Sequence, residues 1–412
     1  MGALDGIRVL DLSRVLAGPL ATMVLADHGA DVVKVESPQG DDTRAWGPPF
    51  LGGEGAAAAD TPGESTYYLF CNRNKRSISL DLSTDNGREA VRRLARRSDV
   101  VVENFKRGTL ERWGLDFATL SQDNPGLILA NISGFGSNGP KAALPGYDVI
   151  AQAMGGLMHL TGDPAGDPAR AGVPIADLVT GYLTVIGVLM ALEARHRTGV
   201  GQRIECSLLD SVISLLASSA SSYLNTGAEP GRSGNTHPSL VPYQTFPTAD
   251  GTVYIAAGND RQFRDLCAVL DRSALADDPR FFSNAARVEH RHELELVLSD
   301  VFRTAPTTAW IDRCWQAGVP AGAIRTISEV FADPQVEARE MVVSVAHPSI
   351  DRGVVMTGIP IKLSATPGSV RRHPPLRGEH TEEILREIGL DRRGATSSPA
   401  PLSNKRAPEE AP

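Results

Sequence analysis

Apolar and polar positions alternate in a regular rhythm along the first third of the chain. Short β-branched runs (IRVLDL, DVVKVES, KRSISLDL, DVVVENF and LILANISGFG) are separated by AGPLATMVLADHGA and NGREAVRRLARR, whose apolar residues recur every three or four positions. This alternation predicts βαβ units and a parallel sheet covered by helices, an α/β fold. In the second helical stretch Ala90, Val91, Leu94 and Ala95 share one face, and Arg92, Arg93, Arg96 and Arg97 lie mostly off it, the pattern of a helix lying on a sheet. Further along, PIADLVTGYL places Asp177 directly before a run, Leu178 to Leu192, in which Tyr182 is the only ionisable residue. That run is shorter than the roughly 20 residues needed to span a bilayer and contains Thr180, Gly181 and Gly187, so it predicts a buried helix.

The pattern then breaks. Gly52 to Gly63 and Ser221 to Pro238 have the turn-rich composition of loops, the first an insertion and the second a linker. YQTFPTADGTVYIAAG carries two short apolar runs around Asp250-Gly251, a hairpin signal. Helical patterns follow through RQFRDLCAVL, HELELVLSDVF and TTAWIDRCWQAG, then short strands (VVSVAHP, VVMTGIPIKL) and one late helix, HTEEILREIG. The expected division is 1–220, a linker at 221–240, a small mixed α/β domain at 241–327, a return at 328–392, and a tail at 393–412 whose composition predicts disorder.

Charge narrows the function classes. With 49 acidic against 41 basic residues among 412, the chain lacks the broad basic face of a nucleic-acid binder. The start, MGALDGIRVL, has no charged region followed by an apolar one, and Gly6 stands where a myristoylation signal needs Ser or Thr. Cys71, Cys206, Cys267 and Cys314 are widely spaced and form no CxxC, so neither a metal site nor a disulfide framework is indicated. A cytoplasmic protein with no membrane association is expected.

Several candidates for chemistry fall away on inspection. The turn DLSRVLAGPL has one glycine and no GxGxxG, which argues against a nicotinamide or flavin cofactor despite Glu36 at the end of the second strand. His290 and His292 are two residues apart and do not share a helix face, so they make no metal pair. No GxSxG, HExxH or Walker sequence occurs. Two basic clusters remain, Arg73, Lys75 and Arg76 in CNRNKRS and Lys106 and Arg107 in ENFKRG. The second follows a strand, where ligands of open sheets collect. Either could meet an anion or simply be solvated. Asp177 likewise has two compatible readings: a first-turn acid that takes up orphan backbone N–H groups, or a carboxylate nucleophile in a desolvated cleft, kept ionised by those N–H groups.

Successive blocks of the chain resemble a known family. LDGIRVLDLSRVLAGPLATMVLADHGADVVKVE, NRNKRSISLDL, SDVVVENFKRGTLERWGL, GYDVIAQAMGGLMHLTG and ADLVTGYLTVIGVLMALEARHRTGVGQRIECSLLD look like the class III CoA-transferases, the formyl-CoA transferase and carnitine CoA-transferase group. The similarity runs in order from about Leu4 to about Leu390, and SLVPYQTFPTADGTVYIAAGNDRQF looks most like the succinyl-CoA:glutarate CoA-transferase branch.

That resemblance implies a large Rossmann-like domain built from the N- and C-terminal parts, a smaller mixed domain between them, and an interlocked homodimer. It implies exchange of CoA between an acyl-CoA thioester and a free acid, a dicarboxylate such as succinate or glutarate, through a covalent intermediate on Asp177. CoA is then a substrate, and no cofactor is permanently bound. Leu16, Ser37, Leu80, Asn104, Phe105, Lys106, Arg112, Tyr147 and Asp148 match positions around CoA, and Gly258 and Asn259 match a lid. Arg14, Leu16 and Ser37 depart from the formyl-CoA transferase residues at their positions. Arg170, Arg232 and His237 are candidates for reading a distal carboxylate. Racemases of the same superfamily carry a histidine where this chain has Tyr147, a poor base at neutral pH. A 2-methylacyl-CoA racemase and a non-catalytic acyl-CoA-binding protein are the alternatives.

Overall fold

The computed structural model describes residues 1–52 and 63–391, so most of the expected insertion at Gly52 to Gly63 and the tail at 393–412 lie outside the described residues. The chain forms two compact units: residues 1–155, 172–217 and 339 onward build the first, and residues 156–171 and 218–338 build the second.

The first unit contains the parallel sheet expected from the alternating runs. Its six strands stand in the order Lys75–Ser79, Asp31–Glu36, Arg8–Asp11, Val100–Glu103, Ile128–Ser133 and Arg203–Ser207, all parallel. The five strands up to Ile128–Ser133 are buried over most of their length on both faces, as a covered parallel sheet requires, while the edge strand Arg203–Ser207 is buried only at Ser207. On one face Val9, Val32, Val100, Val102 and Ile128 pack against the helices Ala17–Asp27 and Ile175–Thr198. On the other, Leu10, Val33, Ile78, Val101 and Leu129 meet Ala90, Val91 and Leu94 of the Asp85–Arg96 helix. Thr84 caps that helix, its side chain accepting from the Gly87 N–H.

Ile384, Leu385 and Ile388, in and just after the late helix Thr381–Glu387, complete this second face, so the C-terminal part returns to the sheet on which the chain began. The return is held by ions. Arg73 is buried, donates to both oxygens of buried Asp27, and reaches the Thr357 carbonyl. Asn74 donates to Asp27 and to the Ser369 carbonyl. Arg76 pairs with Asp31, Glu383 and Glu387. Lys75 is buried against Asp11. These partners settle the role of the first basic cluster: its cations join chain segments and are not displayed to a ligand.

The apolar run before Glu193 forms a longer helix than its composition outlines, Ile175–Thr198, ending on Gly199 in the left-handed conformation. Expected as a buried helix, it is buried along one stripe. Thr180, Thr184, Val188 and Ala191 face the core, while Tyr182, Ile186, Leu189 and Met190 are exposed. By length and composition it is also apolar enough to cross a membrane, but its inner stripe packs on the Ala17–Asp27 helix of the sheet domain. Gly181 permits the close crossing: a Cβ there would lie 2.8 Å from the Ala17 carbonyl oxygen.

The second unit holds the expected hairpin, Tyr243–Pro247 against Thr252–Ala256 in antiparallel register, with Ala321–Ala323 as a third strand. Phe246, Phe263, Leu294, Phe302 and Trp310 form its core. The segment expected as a linker at 221–240 instead begins inside the helix Ala217–Thr226, and residues 156–171 belong with it in this unit.

Removing the Arg73 guanidinium strands Asp27 as a buried, unpaired charge. Arg73→Ala is expected to cost about 3–5 kcal/mol of stability and to make the C-terminal segment around Thr357 and Ser369 more accessible to protease; denaturant unfolding and limited proteolysis check both.

Candidate functional site

In an open parallel sheet, ligands collect outside the carboxyl ends of the strands where the order reverses. Here the chain starts on the central strand Arg8–Asp11, progresses outward to one side through Asp31–Glu36, and crosses to the other side at Val100–Glu103. The loops leaving Arg8–Asp11 and Val100–Glu103 therefore part above the sheet. Between them lies a cleft of about 540 Å³, lined by Leu16, Asn104, Phe105, Lys106, Tyr147 and Asp177, among others.

The walls are rigidly joined. Asn104 accepts from the Arg14 N–H (2.9 Å) and donates to the Arg14 carbonyl (2.7 Å), so one side chain locks the two loops together. The next residue, Val15, has φ 71°, a left-handed conformation that is strained for a β-branched side chain by about 1–3 kcal/mol. It is held from below: Asp41 accepts from the Val15 N–H, and Lys34 donates to the Ser13 carbonyl. Lys34 and Asp41 form a buried ion pair of 2.9 Å. Burial opposes the charge on Asp41, but Lys34 and the Thr43 donors hold its carboxyl below the usual range. A third wall comes from the loop before Tyr147. Gly134 and Gly146 touch backbone to backbone, and a Cβ on Gly134 would stand 2.6 Å from the Gly146 Cα.

Asp177 sits in the first turn of the Ile175–Thr198 helix, but it does not cap it. The four N-terminal amides of a helix need outside acceptors. Here the Ile175 N–H goes to the Val173 carbonyl and the Leu178 N–H to the Pro174 carbonyl. Those of Ala176 (2.8 Å) and Asp177 (3.2 Å) go to one oxygen of Asp148. Asp148 is buried in the first turn of its own helix, Asp148–Met154, and Gln152 donates to its other oxygen at 2.6 Å.

Every amide at the helix start is thus occupied, and among the described residues none donates to the Asp177 carboxylate. The expectation that helix N–H groups would hold Asp177 ionised is corrected here. Burial, with the Asp148 charge adding to it, pushes the Asp177 carboxyl up to about 7. A carboxylate with its lone pairs unengaged in a partly dry cleft is a stronger nucleophile than a capping one.

Other expected residues divide clearly. Leu16, Asn104, Phe105, Lys106 and Tyr147 share the cleft with Asp177, as does Arg14. Leu16 is also buried in the core, and Arg14 makes an exposed ion pair with Asp42. Ser37, Leu80, Arg112 and Asp148 do not line it. The Ser37 hydroxyl donates to the Gly40 carbonyl, Leu80 is in the core, Arg112 donates to the Thr109 hydroxyl, and Asp148 acts from behind Asp177.

Gly258 and Asn259 lie in the second unit, where the Gly258 N–H and the Asn259 side-chain amide both donate to the Gln262 side chain and Asn259 caps the helix Asp260–Val269. Arg232 donates to the carbonyls of Asp163 and Gly166, Arg170 to that of Ala171, and the His237 ring accepts from Ser239 and Leu240. All three are engaged in local backbone structure.

Two neighbours escaped the sequence reading. Tyr67 is half-buried and edge-on to Trp46, and burial, with the Asp177 charge adding to it, pushes its hydroxyl up to about 12. Glu103, the last residue of its strand, is another acid lining the cleft. Nothing local in TYYLF or VVVENF marks either residue, because each gains its place through a contact distant in sequence.

The family described as CoA-transferase family III matches residues 4–381. The chain is similar to a succinate–glutarate CoA-transferase of Agrobacterium fabrum, 47% identical over 95% of this chain and 97% of that one. It is also similar to the human succinyl-CoA:glutarate CoA-transferase, 42% identical over 93% and 86%. Among solved structures, a CAIB/BAIF family protein from Brucella suis superposes with a TM-score of 0.82 at 44% identity, over 94% of this chain and 99% of that one.

The raised carboxyl of Asp177 has a cost that can be measured. Its ionisation is easier in the unfolded chain, so the native state loses stability as pH rises from about 4 to about 7 and levels off above. Asp177→Asn removes that loss. It is expected to raise the melting temperature at pH 8, and by less at pH 5, which paired thermal melts at the two pH values test.

Proposed function

The chain belongs to CoA-transferase family III and is an enzyme that transfers CoA; from that premise we propose that it exchanges CoA between an acyl-CoA and a dicarboxylate such as succinate or glutarate, with Asp177 as the covalent nucleophile. The observation that carries the reading is the division of labour between two acids: Asp148 takes the helix amides and Asp177 is left with its lone pairs free at the cleft. The choice of dicarboxylate is supported by the relatives named for succinate and glutarate.

The reaction runs through four substitutions at carbonyl carbon. The Asp177 carboxylate attacks the donor thioester, forming a mixed anhydride and expelling CoA thiolate. The thiolate attacks the aspartyl carbonyl of that anhydride, releasing the donor acid and leaving CoA as a thioester on Asp177. The acceptor carboxylate attacks this thioester, giving a second anhydride and thiolate again. Attack of the thiolate on the acceptor's acyl carbonyl then yields the new acyl-CoA and regenerates Asp177. Each intermediate is prone to hydrolysis, so the thiolate must stay bound and water must be kept away. A cleft between two clamped loops suits both needs. Asn104, Phe105 and Lys106 along one wall and Arg14 on the other are the residues we assign to CoA, with Lys106 and Arg14 offering charge to its phosphates.

We further infer a homodimer. Its support is the exposed apolar stripe of Tyr182, Ile186, Leu189 and Met190, with Val149, Ile150 and Met154 also exposed on the Asp148–Met154 helix.

A crossed screen of acyl-CoA donors against free acids, read by mass, is expected to give transfer between C4 and C5 dicarboxylates and none to monocarboxylates of equal length. Asp177→Asn is expected to lower transfer by on the order of 10³-fold or more. Because the nucleophile must be ionised, kcat/KM is expected to fall as pH drops through about 7. The limb should move to lower pH in Asp148→Asn, which keeps an acceptor for the helix amides but removes the like charge. An unchanged limb in that variant would detach it from Asp177.

A further inference from the structure

Glu103 is a charged side chain, almost fully buried, at the carboxyl end of a central strand. An acid in such a place is expensive unless its oxygens are engaged, and both are. One oxygen accepts from the Asn131 side-chain amide on the neighbouring strand, where Glu103 and Asn131 stand directly opposite in the sheet register. The other accepts from the Phe105 N–H at 2.8 Å, two residues further along its own chain.

The second bond bends the strand end into the Asn104–Phe105–Lys106 turn. From that turn Asn104 grips both backbone groups of Arg14, and the Phe105 ring packs edge-on against Trp113 at 5.2 Å. The sequence of contacts from Asn131 to Glu103, to the turn, to the strained Arg14–Val15 loop is therefore continuous, and it forms two walls of the cleft.

We propose that Glu103 is a positioning residue for the CoA thioester: its carboxylate, fixed by Asn131, shapes the Asn104–Phe105–Lys106 turn and through Asn104 holds the opposite wall in place. It acts through its neighbours, since the oxygens that could meet substrate are engaged by protein donors. Burial pushes its carboxyl up to about 7, with the charge of Glu111 adding and Asn131, Phe105 and Arg203 opposing, so the site retains an acid that burial disfavours. This inference rests on the reading of the cleft as a CoA site.

Three variants test it in the intact enzyme: Glu103→Leu removes the acceptor, Glu103→Gln keeps one for Phe105, and Asn131→Ala frees the carboxylate to turn. Binding of CoA by calorimetry is measured beside steady-state kinetics with the donor thioester, at pH 8. Loss of the two hydrogen bonds to the carboxylate is expected to raise the Kd for CoA and the KM for the acyl-CoA by about tenfold or more in Glu103→Leu. In the same variant kcat should stay within about threefold of wild type. Asn131→Ala is expected to move KM in the same direction by less, and Glu103→Gln to restore it.

Should Glu103→Leu fail to fold, the Asn131→Ala and Glu103→Gln pair decides alone. Wild-type affinity in the folded Glu103→Leu or Asn131→Ala proteins would overturn the inference while leaving the cleft a CoA site. A Glu103→Gln protein as impaired as Glu103→Leu would overturn it too. Failure of the wild-type enzyme to bind CoA would overturn the reading on which it rests.

Discussion

A single carboxylate oxygen on Asp148, accepting the amides of Ala176 and Asp177, organises the rest of the site. A helix start buried in a protein must have its amides satisfied, and an acid in the first turn ordinarily does this for its own helix. In this chain an acid from a neighbouring helix does it instead. The consequence is electrostatic as well as geometric. Asp177 is left on the cleft without donors, its charge opposed by burial and by Asp148, and its carboxyl sits near neutrality rather than near 4. The same contact ties the Asp148–Met154 helix to the Ile175–Thr198 helix, so the loop carrying Tyr147 is placed relative to Asp177.

Beneath that contact the sheet is unusually ionic. Asp11, Lys34, Lys75 and Asp41 are all buried on or beside three adjacent strands, and they pair with one another and with backbone groups. Such networks stabilise little compared with apolar packing, but breaking one partner strands the others. Their placement directly under the Ser13–Val15 turn gives that expense a use. The turn holds a β-branched residue at positive φ, and a strained conformation persists only where its surroundings over-determine it. Asp41 and Lys34 each hold one of its backbone groups, and Asn104 holds two.

Much of this architecture could be read from the chain. Short β-branched runs placed the parallel strands and period-three-to-four patterns their covering helices, because a sheet buried on both faces leaves a near-continuous apolar run that the sequence reveals. Asp177 was visible as an acid at a helix start, and ENFKRG as a loop following a strand. What could not be read depends on pairing across distance. Asp148 stands 29 residues before Asp177, and nothing near GYDV announces which amides its carboxylate will meet. The cluster CNRNKRS looked available to an anion because Asp27, Asp11, Asp31 and Glu387, which neutralise it, lie elsewhere in the sequence. The uncharged run after Asp177 suggested a buried helix, and its burial is confined to one stripe while another faces outward. Composition records that a residue is apolar, not which neighbour it will meet.

The account stands on Asp177 carrying the acyl or CoA group during turnover. Brief incubation of the enzyme with succinyl-CoA, quenching in hydroxylamine, and peptide mapping by mass address this directly, since an aspartyl thioester or anhydride is converted to a hydroxamate at the residue that bore it. The account predicts the hydroxamate at Asp177 alone, dependent on succinyl-CoA and absent from Asp177→Asn. Modification at another residue, or transfer proceeding at the wild-type rate in Asp177→Asn, would contradict it.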